Sequence, residues 1–243
     1  LECIRYLENN KGLPEKLIQD IHSSIISLEE KTGLGFGDSN NPLLVSVRSG
    51  SAVSMPGMMD TVLNVGLNDK TVQGLIEQTG DPRFAYDAYR RFIQLFGKVV
   101  LHVSDDKFPK IVEEKESTAE ELRELAKKLK EICKKETGKE FPVDPYDQLN
   151  RTVAAVFDSW NVKRCVDYRR EFNIGPEIAN GTAVNVVTMV FGNMGKKSGT
   201  GVVFTRDPGT GEKTLYGEYL MNAQGEDVVA GIRTPSPVQE MEK

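Results

Sequence analysis

The chain has 243 residues, 39% hydrophobic and 28% charged, enough apolar material for a sizeable core, which excludes a disordered or collagen-like polymer. Its 31 basic against 36 acidic residues leave a net charge of −5, so nucleic acid or an anionic membrane held by bulk electrostatics is not expected, although a local basic pocket stays open. No apolar run approaches the roughly 20 residues of a membrane helix and no leader opens the chain, so a cytoplasmic setting is expected. The three cysteines, Cys3, Cys133 and Cys165, form no CxxC pair and fit a reducing compartment better than a disulfide framework or a zinc site.

Leu17, Ile18, Ile21, Ile25 and Leu28 share one face of a helix predicted over Pro14 to Lys31, with Gly33 and Gly35 as its stop. Leu43 to Val47 reads as a buried strand, followed by the polar turn residues Ser49, Gly50 and Ser51. Asp81-Pro82 is a helix cap with a first-turn proline, and Ala85, Ala88, Tyr89, Phe92, Ile93 and Phe96 recur at helical spacing after it. From Asp105 to Glu140 both charge signs are dense. There Ser117 and Glu120 fit a capping box, and Glu124–Lys128 and Glu131–Lys135 fit i,i+4 pairs on a solvated face. Phe141 to Pro145 reads as a linker before a helix marked by Leu149, Val153, Val156, Phe157 and Trp160. The last third turns to sheet, with strands expected at Thr182 to Phe191, Gly201 to Thr205 and Thr214 to Leu220, the last two flanking the turn Asp207-Pro208-Gly209-Thr210-Gly211.

Three segments carry the residue types of a binding site. In Ser46 to Thr61 a buried strand delivers Arg48 into serines, glycines and the methionines Met55, Met58 and Met59. A guanidinium is always charged and offers a planar fork of donors suited to phosphate oxygens; the competing reading is a strand-end ion pair. The methionines suit a purine face or a moving loop, with core packing as the alternative. The second segment, Phe191 to Val202, superficially resembles a phosphate-binding P-loop, but Gly192 and Gly195 are spaced wrongly and a strand, not a helix, follows. What remains is a glycine-rich turn bearing Lys196 and Lys197, able to act as a hinged flap or to be a plain surface hairpin. The third segment, Tyr216 to Asp227, sets Glu218, Asn222, Gln224 and Glu226 around a strand and its turn, where spacing alone pairs nothing. His22 and His102 have no third group near them in sequence and read as structural.

The string Leu43-Leu44-Val45-Ser46-Val47-Arg48-Ser49-Gly50, continuing through Ser54-Met55-Pro56-Gly57-Met58-Met59-Asp60-Thr61 to Asn64 through Asp69, closely resembles the N-terminal nucleotide-binding domain of the pyruvate, phosphate dikinase family. Pro82 to Phe92, and Ser198 to Pro208 with Gly217-Glu218-Tyr219 and Gln224 to Gly231, resemble the same family. The related phosphoenolpyruvate synthases diverge through the Met-Pro-Gly-Met-Met stretch, which favours the dikinase.

The resemblance implies an α+β, ATP-grasp-like fold of several subdomains with mixed or antiparallel sheets. In it, 1–67 and 147–191 form a discontinuous first subdomain, 68–146 an inserted helical one, and 192–243 part of a β-rich second lobe. It implies ATP with Mg2+ as cofactor, phosphate as co-substrate, and a histidine on a separate domain of the same protein as acceptor, in a protein that forms homodimers. Arg48 would be the phosphate-binding arginine, with Gly57 and Met59 near the nucleotide. Met189, Val190 and Phe191 would lie along adenine, and Ser198, Gly199, Thr200 and Gly201 over the phosphates. Lys115 would match a lysine reaching ATP, with Arg206, Glu218, Gln224 and Glu226 in support. The family's glycine-lysine segment, its acidic and Gln-Thr-Arg strand and its Thr-x-x-x-Ser-His motif have no counterpart here. The chain is therefore expected to be an excerpt, with no metal ligand of its own and no capacity to make phosphoenolpyruvate alone. A docking module without chemistry, and another ATP-grasp dikinase with water or a glucan as acceptor, stay open.

Overall fold

A computed structural model describes residues 2–109, 117–229 and 233–241 and divides the chain into two units, Leu1–Met189 and Val190–Lys243. Lys115 lies outside the described residues.

The first unit opens with α1 (Glu2–Glu8) and α2 (Glu15–Thr32), continues through β1 (Val45–Gly50), β2 (Thr61–Val65), α3 (Thr71–Thr79), α4 (Pro82–Val99), α5 (Ala119–Thr137), α6 (Pro145–Ser159) and α7 (Lys163–Glu171), and ends in β3 (Ala183–Thr188). The three strands form one antiparallel sheet in the order β2-β1-β3. The predicted strand at Leu43 to Val47 is displaced: pairing begins at Val45 and runs on through Arg48 to Gly50. An apolar run reports burial, and Leu43 and Leu44 are indeed buried, whereas ladder bonds come from the backbone and continue beneath polar side chains.

α6 packs across all three strands, burying Leu149, Val153, Val156 and Phe157 over Val45, Val47 and Val62. α4 packs on β2, α3 and α5. Asp81 caps it by accepting from the Phe84 amide at 3.0 Å, and its predicted apolar face is buried. Phe92, Phe96 and Phe141 close an aromatic triangle with centroids 5.5, 5.9 and 5.2 Å apart. The capping box on α5 sits one residue later than predicted: Thr118 and Glu121 exchange bonds, because the chain stays extended through Thr118. The predicted i,i+4 pairs are also replaced. Lys127 pairs with Glu124 at 2.6 Å and Lys134 reaches Glu140, so long side chains on this exposed face take whichever carboxylate is nearest.

Gln148, wholly buried on α6, accepts from the Gly66 amide at 3.0 Å and donates to the carbonyls of Leu67 at 3.0 Å and Pro142 at 2.9 Å. One side chain thus ties the exit of β2 to the segment entering α6. Cys3, Cys133 and Cys165 are buried and unpaired. Burial pushes each thiol up, Cys133 to about 11. At pH 8 the thiolate fraction of Cys133 is then on the order of one in a thousand. Native protein is expected to resist a disulfide-exchange reagent over minutes while urea-unfolded protein titrates all three thiols at once; fast labelling of the native protein would contradict that burial.

The second unit is a small antiparallel sheet, β4 (Gly199–Phe204), β5 (Tyr216–Met221) and the two-residue β6 (Ser236–Pro237), in that order, with α8 (Gly225–Val229) against β4 and β5. The predicted turn between β4 and β5 is present: the Asp207 carboxylate accepts from the amides of Gly209 at 2.7 Å and Thr210 at 3.2 Å.

Candidate functional site

In the first unit the site is built on β1. Arg48 stands level with Thr61 of β2 and Asn185 of β3, and Ser46 with Val187. Directly opposed residues share a face of the sheet, so Ser46, Arg48, Thr61, Asn185 and Val187 lie together. Ser46 is buried and its hydroxyl donates to the Val187 carbonyl at 3.4 Å. The Arg48 Nε donates in turn to the Ser46 Oγ at 3.3 Å. The rest of the guanidinium is exposed, and among the described residues no carboxylate pairs with it. The strand-end ion pair, the competing reading of Arg48, is therefore not formed within this set. A Cβ on Gly50 would lie 2.6 Å from the Asn185 amide nitrogen, so glycine there leaves room for that amide beside Arg48.

The loop from Ser51 to Asp60 carries Gly57 and Met59. Gly57 is exposed with φ +71°, a left-handed turn conformation that favours glycine. Met55 is buried and Met59 half-buried, so the methionines divide between packing and surface. Asp60 closes the loop: its amide donates to Ser159 Oγ at 3.2 Å and its carboxylate pairs with Arg164, whose Nε donates to the Met58 carbonyl at 3.0 Å. Neither Ser159 nor Arg164 stands out in the sequence, because about a hundred residues separate them from the loop and only folding brings them to it. Met189 continues the sheet through its amide, which donates to the Leu44 carbonyl at 2.9 Å. Val190, the first residue of the second unit, is 90% exposed, and Phe191 is half-buried.

In the second unit the glycine-rich segment divides. Residues 192–198 form a turn, and β4 begins at Gly199, two residues before the strand expected from Gly201, so that Gly199 and Thr200 are strand and not loop. A Cβ on Gly201 would lie 2.6 Å from the Glu218 carbonyl oxygen, and one on Gly217 2.2 Å from that of Val202. Close approach of the two strands accounts for glycine at both positions. The turn is tied down along its length. The Ala223 amide donates to the Gly192 carbonyl at 2.9 Å, the Gly195 amide to Asn222 Oδ1 at 3.2 Å, and the Asn222 amide to the Ser198 carbonyl at 2.7 Å. A flap hinging inside the turn would break these bonds, each contributing about 1 kcal/mol. Movement that carries residues 222–223 along would keep them. Lys196 and Lys197 are exposed.

The supporting residues do not converge. Glu218 is exposed on β5, Arg206 donates to the Gly211 carbonyl at 3.2 Å within the turn, and Gln224 is buried with its backbone N–H donating to Asp227 Oδ2 at 2.9 Å. Glu226 lies in α8. Arg233, unremarkable in the sequence, donates to the carbonyls of Asn222 and Met221, both at 3.1 Å. Among the described residues no three His, Cys, Asp or Glu side chains gather as a metal site, and no helix is long and apolar enough to cross a membrane.

A model of the pyruvate phosphate dikinase AMP/ATP-binding domain matches residues 3–241. The chain belongs to that family. It is 54% identical over 98% of its length to pyruvate, phosphate dikinase of Entamoeba histolytica and 53% identical over 99% to that of Clostridium symbiosum, covering 28% of each relative. A chloroplastic pyruvate, phosphate dikinase from Flaveria trinervia is 50% identical over 99% of the chain, which covers 26% of it. The chain thus spans little more than a quarter of the relatives it matches. The matched span, residues 3–241, includes the strand that carries Arg48 and the methionine loop.

Proposed function

We propose that this chain is the ATP-binding part of a pyruvate, phosphate dikinase, an ATP-grasp domain in which 1–67 with 147–191, the insertion 68–146, and 192–243 are subdomains. In the whole protein it would use ATP with Mg2+ and inorganic phosphate to phosphorylate a histidine on a separate swivelling domain, leaving AMP and pyrophosphate, and a third domain would then convert pyruvate to phosphoenolpyruvate with that phosphoryl group. Among the described residues no cluster of carboxylates gathers that would hold the magnesium.

The observation that carries the reading is the state of Arg48. A guanidinium held at one nitrogen by a buried serine and otherwise exposed, beside Asn185 and an exposed apolar Val187, has donors left for an anion. Phosphate oxygens match its fork, and such charge-assisted bonds are about twice as strong as neutral ones. Chemistry of this kind depends on positioning and on neutralising charge that develops on the transferred phosphoryl group. Gly57, Met59 and Met189 through Phe191 would accommodate the nucleoside. Ser198 through Gly201, with the tied turn before them, would approach the phosphates, with Arg206, Glu218, Gln224 and Glu226 around them.

Calorimetric titration with ATP and magnesium tests this on the 243-residue chain and on the full-length protein in parallel. Binding by the full-length protein, weakened by Arg48→Ala, is the expected result. Binding by the short chain as well would place enough determinants within it. If neither form takes up heat-detectable ATP, the nucleotide reading fails and a docking module is the better description.

A further inference from the structure

We propose that Asp60 is a positioning residue, whose clasp with Ser159 and Arg164 holds the methionine loop in the one conformation that the nucleotide uses. The inference rests on the proposed nearness of Gly57 and Met59 to ATP. It adds a control point that lies outside the phosphate-binding residues and is built by distant parts of the chain.

The loop from Ser51 to Asp60 is much longer than the two-residue turns that fix a hairpin by themselves, so its conformation must be set by contacts. Met58 makes one internal bond, its amide donating to the Met55 carbonyl at 3.1 Å. The anchors come from outside. Ser159 is buried at the end of α6, and its hydroxyl donates to the Val156 carbonyl at 2.7 Å, which fixes where its lone pair points; that lone pair accepts the Asp60 amide. Arg164, in the first turn of α7, grips two points at once, the Asp60 carboxylate and the Met58 carbonyl. The clasp therefore closes on the residue immediately before Thr61, and Thr61 stands opposite Arg48 in the ladder. Whatever fixes Asp60 fixes both the end of the loop and the strand position beside the guanidinium.

Without the carboxylate, the Arg164 fork loses its anchor and the loop samples other conformers. A ligand that needs one conformer then binds with an apparent constant weakened by the fraction that conformer still holds. Phosphoryl transfer from correctly bound ATP is unchanged, so the loss appears in KM and not in kcat.

The test uses the full-length protein and the ATP-driven phosphorylation of its histidine. Asp60→Ala is expected to raise the KM for ATP about tenfold with kcat within about twofold, and Asp60→Glu to recover part of the loss. Ser159→Ala and Arg164→Ala act on the same loop from the other side and serve if Asp60→Ala folds poorly; either should give the same KM-weighted loss. Hydrogen exchange at the Met58 and Met59 amides supplies the independent readout, and it should accelerate in Asp60→Ala. Unchanged exchange there overturns the clasp, and faster exchange with an unchanged ATP KM overturns its use in nucleotide binding. Arg48→Ala, run alongside, separates this from the parent reading: if that variant keeps normal ATP kinetics, the nucleotide assignment itself is wrong, while exchange at Met58 and Met59 still decides the clasp.

Discussion

Arg48→Ala in the full-length protein is expected to lower ATP-driven phosphorylation of the histidine by roughly a thousandfold, the scale on which a positioned arginine acts in phosphoryl transfer, while phosphoryl exchange with phosphoenolpyruvate stays within about twofold. That loss corresponds to about 4 kcal/mol of transition-state stabilisation. The side chain is exposed and its one bond among the described residues, to Ser46, is long for a charge-assisted contact, so truncation should change stability by only about 0.5 kcal/mol. Arg48→Lys keeps the charge and loses the planar fork, so it is expected to recover only a minor part of the rate. Rapid-quench measurement of each half-reaction separates the cases. Equal loss in both would assign Arg48 to folding or to the architecture of the whole protein instead of to ATP.

Gln148→Leu is expected to destabilise the fold by about 3–5 kcal/mol, because it strands three buried backbone groups that one amide now satisfies. A volume-matched apolar residue cannot accept from Gly66 or donate to Leu67 and Pro142, and no water is expected to replace an atom set this enclosed. Chemical denaturation should show a lower midpoint with an unchanged slope. Gln148→Glu should fare little better, since it turns a donor toward two carbonyls into an acceptor and buries a charge. Loss below about 1 kcal/mol would mean that the bonds exist but that the segments they join are held by the surrounding apolar contacts alone.

Elements with strong periodicity and a capping residue were legible in the sequence. α4 is the clearest, because Asp81-Pro82 fixes its start and seven apolar residues share its buried face. α5 was found with its cap one residue off, since Ser117 and Thr118 are chemically equivalent caps and only the extended backbone at Thr118 decides between them. The sequence marks β1 by its apolar half and gives no signal for its polar half, the half that carries Arg48. Two features of the site had no local signal. The clasp on Asp60 joins residues about a hundred positions apart, and the bonds tying the 192–198 turn depend on Asn222, whose φ of +48° is visible only in the folded chain. The resemblance sets Gly201 over the phosphates, whereas the folded strands supply a packing reason for it and for Gly217 alike: the two backbones leave no room for a Cβ. Motif resemblance pointed to the same residues for a reason that spacing alone does not contain.

The measurement that bears most directly on all of this is a crystal structure of the full-length protein with magnesium and a non-hydrolysable ATP analogue. The prediction is that Arg48 guanidinium nitrogens lie about 2.7–3.1 Å from a phosphate oxygen, with Met59 against the nucleoside. A triphosphate bound elsewhere, with Arg48 paired to a carboxylate, would contradict the assignment of this domain's chemistry to β1.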